Sequence, residues 1–146
     1  MAHSDLLWLD SDILLDWLCA RQPWDRAATE LIERAVSSEW RLVYSPLTLA
    51  NIFYIYRKLA GTEKALATLG TLSRLGMIAD LTAAHVYKAL AGKHPDFEDE
   101  LQIACAGGVP GLTAIVTRNV NDYTHSPVPA MSASDWLASH PLPSAP

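Results

Sequence analysis

The chain has 146 residues, enough for one domain with its own apolar core and too few for two of ordinary size. Half of its residues are hydrophobic and 18% are charged, which excludes a disordered chain. A formal net charge of -5 excludes a protein that holds nucleic acid by a general positive field, so a nucleic acid ligand would need a local basic strip, a metal or a partner.

Leu6 to Leu9 reads as a first strand and Ile13 to Cys19 as a short helix that Asp12 is placed to cap. From Pro23 a second helix carries Ala27, Ala28, Leu31, Ile32, Ala35 and Val36 on one stripe, with Glu30, Glu33 and Arg34 outside it. Arg41 to Tyr44 is a second strand. Ser45-Pro46, a cap followed by proline at the first helical position, launches a third helix over Leu47 to Leu59. Apolar side chains lie nearly all round that helix, which places it centrally or at a subunit interface.

Gly61-Thr62 opens a fourth helix, closed by Gly76, and Met77 to Asp80 is a candidate third strand. Thr82 to Leu90 is helical, Gly92 to Asp96 breaks the chain, and Asp96 caps a helix from Phe97 to Ala106. After a glycine- and proline-rich loop, Thr113 to Val116 forms a strand. Pro127 to Met131 fits a short edge strand, and Ser132 caps a last helix from Ala133 to Ser139. Residues 1–139 therefore form one domain, with a mobile, proline-rich tail over 140–146. Strands alternating with helices predict an α/β protein with a parallel sheet covered on both faces.

Cys19 and Cys105 fall among apolar neighbours, with no CxxC and no zinc-binding spacing, and read as reduced thiols. Neither a basic leader followed by an apolar run nor a membrane span is evident, so a cytoplasmic location is expected.

The chemistry lies where strands end. Asp10 closes the first strand just before a helix, which puts a carboxylate at the carboxyl edge of the sheet, where open α/β folds hold ligands. Asp99 stands in the first turn of a later helix, and Asp122 closely follows the strand that ends in Thr117-Arg118-Asn119. Each has a plainer explanation: Asp10 or Asp12 as a helix cap, Asp99 as a partner for the helix dipole, Asp122 as a turn residue. Taken together, those explanations require three unrelated acids to fall at one edge by accident. Asn51, an amide in an otherwise apolar helix, needs partners of its own.

Leu9 to Asp16, Ser45 to Asn51, Phe97 to Gln102 and Thr117 to Tyr123 resemble, in order and at sensible intervals, the successive motifs of PIN domains. The resemblance runs from about Leu6 to Leu137 and is closest to compact prokaryotic members, including VapC-like toxins. It implies a three-layer α/β/α sandwich and a metal-dependent endoribonuclease using Mg²⁺ or Mn²⁺, ions that prefer hard oxygen ligands. Asp10, Asp99 and Asp122 would ligate the metal, Asn51 and Asn119 would hold ligands or water, and Asp12 and Thr117 would support them. Arg118 is the best candidate to contact RNA phosphates among Arg57, Lys58, Lys93 and Arg118. The resemblance further implies an RNA substrate, a cognate antitoxin and a homodimer, for which Phe53, Tyr54 and Tyr56 would suit the interface.

Two positions depart from the common PIN pattern. Asn51 stands where many members have glutamate, and Asn119 where many have aspartate, so each removes a negative charge. That leaves open a PIN-fold module that binds RNA or a protein without cutting. A phosphatase of the haloacid dehalogenase type shares the Asp10-Ser11-Asp12 pair, but it needs a covalent aspartyl intermediate and a later lysine that has no convincing position here. The histidines, His94 and His125 among them, follow no catalytic spacing and read as surface or locally bonded groups. Glu98 and Glu100 flank Asp99 on other sides of its helix and read as solvated.

Overall fold

The structure, a computed structural model, describes residues 4–143. Its sheet is made of β1 (Asp5–Leu9), β2 (Trp40–Tyr44), β3 (Met77–Ile78), β4 (Ala114–Val116) and β5 (Ala130–Met131), in the order β3-β2-β1-β4-β5. Every neighbouring pair is parallel. The helices are α1 (Ser11–Leu18), α2 (Asp25–Val36), α3 (Pro46–Ala60), α4 (Thr62–Leu75), α5 (Ala83–Leu90), α6 (Phe97–Gly107) and α7 (Ala133–Ser139), with a 3₁₀ turn at Val120–Tyr123.

Alternation along β1 decides the layers. Leu7 and Leu9 face one side, where they join Ile13 and Leu14 of α1, Leu31 and Ile32 of α2, Ile52 of α3, Leu72 of α4 and Trp136 of α7. Leu6 and Trp8 face the other side and pack with Val43, Ile115 and, from α6, Ile103, Cys105 and Ala106. Burial on both faces is why these strands read as continuous apolar runs. The result is the expected three-layer α/β/α sandwich. Both cysteines are free, Cys105 buried and Cys19 half-buried. Among the described residues, no helix is long and apolar enough to cross a membrane.

Several local expectations are corrected. Asp10, not Asp12, caps α1: its side chain accepts from the Ser11 N–H. The second helix starts at Asp25 rather than Pro23, because the Arg21 carbonyl accepts from the Asp25 N–H and closes a turn first. The third helix is not central. Its buried positions Thr48, Ile52 and Tyr56 recur every four residues and form one stripe, whereas Tyr54, Ile55 and Leu59 are exposed. Apolar composition alone cannot reveal which face of a helix lacks a neighbour. His140, at the start of the expected tail, stacks on Trp136 with ring centroids 3.9 Å apart, and its carbonyl accepts from Arg34 at 2.7 Å.

Gly76 ends α4 where the chain passes close beneath β2. A Cβ there would lie 2.7 Å from the Tyr44 hydroxyl and 2.9 Å from the Leu42 carbonyl oxygen. That hydroxyl is fixed, since it donates to the Leu72 carbonyl within the core. Gly76→Ala should therefore destabilise the fold by about 1–3 kcal/mol through overpacking. Thermal or urea denaturation should show a lowered midpoint; an unchanged one would mean that α4 can shift freely.

Candidate metal centre

From β1 the chain moves outward through β2 to β3, then returns across the sheet to β4 on the other side of β1. Connections thus diverge between β1 and β4, and in open α/β folds the carboxyl ends of such strands are where ligands are held. Asp10 is the first residue beyond β1 and Thr117 the first beyond β4. The Asp10 N–H donates to the Val116 carbonyl at 3.1 Å, which carries the strand pairing one step further.

Asp10 is the best-held acid of the group. Its Oδ1 accepts from the Ser11 N–H at 2.9 Å, and its Oδ2 accepts from the Thr117 hydroxyl at 2.9 Å and from the Tyr123 hydroxyl at 3.1 Å. Thr117 is fully buried and also accepts from the Asn119 N–H at 3.0 Å, so one hydroxyl links the strand end to the following turn. Tyr123 is buried in the second core layer. Burial, followed by the charges of Asp10, Asp99 and Asp12, pushes its hydroxyl's pKa up, so it remains a proton donor.

Helix α6 delivers the second acid. Asp96 caps it by accepting from the Asp99 N–H, and Asp99 projects from its first turn. Burial, then the charges of Asp96 and Asp122, raise the Asp99 carboxyl to about 6; Asp10 adds to this, and His94 opposes it. His94, Asp99 and Asp122 present ligand-capable atoms that all lie within 4.8 Å of one another. His94 Nδ1 is 3.9 Å from Asp99 and its Nε2 is 4.0 Å from Asp122. A divalent cation would relieve this crowding of carboxylates, and the oxygen donors are of the hard type that Mg²⁺ and Mn²⁺ take.

Asp12 has a different task. Its Oδ2 accepts from the Arg118 N–H at 3.0 Å and, more weakly, from the Asn119 amide at 3.4 Å, so it ties α1 to the loop after β4. Its Oδ1 is buried without a partner. Burial and then the Asp10 charge raise its carboxyl to about 7, against the pull of the Arg118 backbone and guanidinium.

A family model of the PIN domain matches residues 7–121. The chain belongs to the PIN domain family. Structures of similar fold include a toxin-antitoxin complex from Klebsiella pneumoniae, at 19% identity and a TM-score of 0.64, covering 89% of this chain and 98% of that one. Another is DNA-bound VapBC from Salmonella typhimurium, at 19% identity and a TM-score of 0.62, covering 90% and 99%. A third is VapC20 of Mycobacterium tuberculosis, described as a sarcin-ricin loop cleaving toxin, at 15% identity and a TM-score of 0.58, covering 75% and 86%. At these identities the likeness is one of fold. A sequence comparison with curated proteins finds no match.

Within the PIN fold, Asp99 and Asp122 gather with His94, while Asp10, held by Thr117, lies near enough for its charge to act on Asp99. Asn119 is exposed, and its side chain leans on Asp12 while its backbone N–H bonds Thr117. Asn51 is half-buried rather than enclosed, and its amide donates to Glu98 at 2.7 Å. The pairing follows from a buried contact one turn back along α3 and one turn further along α6, where Gln102 donates to Thr48 at 2.9 Å and accepts from the capping Ser45 at 2.9 Å. Glu98 thus brings a carboxylate back to the position where Asn51 lacks one.

Three further residues read differently in the fold. Glu100 is buried, not solvated, and holds His125 Nε2 at 2.6 Å and the His94 N–H at 3.3 Å. His94 enters the acid cluster although its sequence spacing carried no signal. Arg118 is engaged within the fold: its Nε lies 2.9 Å from fully buried Asp16, its NH2 group donates to the same carboxylate at 3.0 Å, and its guanidinium stacks 3.9 Å over Trp24. These contacts join segments far apart in sequence, so no local pattern encodes them. The hint that was available was Tyr123, an aromatic beside Asp122 whose hydroxyl would need a partner once buried.

Removing Arg118 leaves the Asp16 charge buried and uncompensated. Arg118→Ala should therefore lower stability by about 3–5 kcal/mol, measured by urea denaturation. A loss below ~1 kcal/mol would show that the pair is not holding the loop.

The raised acids also set a pH dependence. Asp12 (about 7) and Asp99 (about 6) bind protons more tightly folded than at their ordinary value of 3.8, so the metal-free fold loses stability as pH rises from about 4 to about 7. In EDTA, the protein should be less stable at pH 8 than at pH 5 by on the order of 2 kcal/mol. Added Mn²⁺ should raise the melting temperature more at pH 8 than at pH 5, where protons compete. An equal rise at both would place the ion elsewhere.

Proposed function

We propose that the protein is a metal-dependent endoribonuclease of the PIN/VapC toxin type, using Mg²⁺ or Mn²⁺. What supports this reading is the gathering of Asp99 and Asp122 beside His94 in a PIN fold, with Asp10 at the carboxyl end of β1 bonded to Tyr123, the neighbour of Asp122. When bound, the divalent cation supplies Lewis-acid chemistry, lowering the pKa of water and offsetting charge that builds on the phosphate. Asp10 would hold it with an orientation fixed by Ser11, Thr117 and Tyr123, while Asp99 and Asp122 complete the oxygen set. Asp12 and Asn119 fix the loop that carries Asp122, and Glu98 restores the charge that Asn51 lacks.

The partners follow from the same reading: an RNA substrate, an antitoxin protein and a second copy of the chain. Toxin-antitoxin complexes among the similar structures support an antitoxin. Exposed Tyr54, Ile55 and Leu59 on α3 supply apolar surface for association, whereas Phe53 packs on the core and Tyr56 is buried. One domain over residues 1–139 and a cytoplasmic setting complete the proposal.

The competing reading is a PIN module that binds RNA or a protein without cleaving it, favoured by the uncharged Asn51 and Asn119. Calorimetry with Mn²⁺, beside cleavage of a labelled RNA by wild type and Asp10→Ala, separates the two. For a nuclease, Asp10→Ala and EDTA should each lower cleavage at least ~100-fold, the scale of losing a group that stabilises the transition state. Wild type and variant behaving alike in both assays would leave only the binding module.

A further inference from the structure

His94 sits at the rim of the acid cluster in a loop that the fold takes some trouble to fix. The Glu100 carboxylate receives the His94 N–H at 3.3 Å and His125 Nε2 at 2.6 Å, and the His125 ring stacks on His94 with centroids 5.6 Å apart and planes 19° from parallel. Gly92 makes room for that carboxylate, since a Cβ there would fall 2.0 Å from Glu100 Oε2. The Asp96 N–H donates to His94 Nδ1 at 3.0 Å. That bond engages the Nδ1 lone pair, so in the neutral ring the proton is on Nε2.

The protonated nitrogen is therefore the one that faces Asp122. At 4.0 Å from Asp122 Oδ1 it is too far for a hydrogen bond, so the N–H is held beside the acids with no acceptor among the described residues. Two negatively charged walls and one N–H donor are what a phosphodiester oxygen meets when the ester approaches a cation held by Asp99 and Asp122. An imidazole whose Nδ1 lone pair is engaged and whose Nε2 carries the proton is a poor metal ligand, even within a ligand-sized cluster.

We infer that His94 contacts the RNA itself, donating from Nε2 to a non-bridging oxygen of the phosphate bound at the Asp99–Asp122 cluster, while the metal is held by oxygen ligands alone. Glu100, His125 and Gly92 act as positioning residues for that donor. The inference rests on the nuclease reading above and adds to it a substrate-contacting group outside the acid set.

The test compares wild type, His94→Ala and His94→Gln, whose amide can donate from nearly the same place. Mn²⁺ affinity is measured by calorimetry. Affinity for a fluorescein-labelled single-stranded RNA with phosphorothioate linkages is measured by anisotropy on the Mn²⁺-loaded protein. His94→Ala should leave Mn²⁺ affinity within about twofold and weaken RNA binding about tenfold, the scale of one hydrogen bond to a charged group, with His94→Gln recovering most of the loss. A tenfold loss of Mn²⁺ affinity in His94→Ala would make the nitrogen a metal ligand and overturn the inference. So would equal RNA affinity in all three proteins, or RNA binding by the alanine and glutamine variants weakened alike. Failure of the wild type to bind Mn²⁺ at all would instead sink the nuclease reading beneath it.

Discussion

The Asp10 carboxylate, clamped between the ends of two parallel strands, is the constraint on which the rest of the site depends. One of its oxygens receives hydroxyl protons from Thr117 and Tyr123, and the other receives the backbone N–H of Ser11. A carboxylate so well supplied with donors is held in one orientation. It also joins three parts of the chain: the start of α1, the end of β4 and the 3₁₀ turn that presents Asp122. The acid cluster is thus continuous with the strand pairing of the sheet.

Around that anchor the structure gathers more negative charge than it neutralises. Asp12 and Asp99 both hold their protons more tightly than free carboxyls, because burial and the neighbouring acids disfavour ionisation. The two basic side chains closest to the carboxylates are committed differently. Arg118 is locked to Asp16 and Trp24 on the far side of the loop, and His94 faces the cluster from a separately braced loop. Acids left uncompensated in this way are suited to a cation. Such built-in strain is a property of sites rather than of cores.

The departures from the common PIN pattern look less disabling in three dimensions than they do in one. Asn51 lies on the face of α3 that meets α6, because Thr48 and Gln102 seal the same interface one turn away. The residue opposite Asn51 is consequently Glu98, and an amide-carboxylate pair stands where the pattern would otherwise have a lone acid. Asn119 is different: it is exposed, its amide reaches only Asp12, and Asp122 provides the acid of that segment.

Much of this was legible in the sequence. Apolar strands buried on both faces, serine caps at Ser45 and Ser132, the Asp96 cap of α6 and the strand-end position of Asp10 are local signals, decided by the chain's nearest neighbours. They pointed to a parallel α/β sandwich and to an acid at the end of its first strand. The tertiary structure alone decided which polar groups meet across distance: Tyr123 with Asp10, Glu100 with His94 and His125, Asn51 with Glu98, Arg118 with Asp16. It also decided which side of α3 lacks cover. The reason is physical. Caps and periodicities arise from interactions within a few residues, whereas the partner of a long-range polar side chain is set by how strands and helices stack, and sequence separation records nothing of that distance.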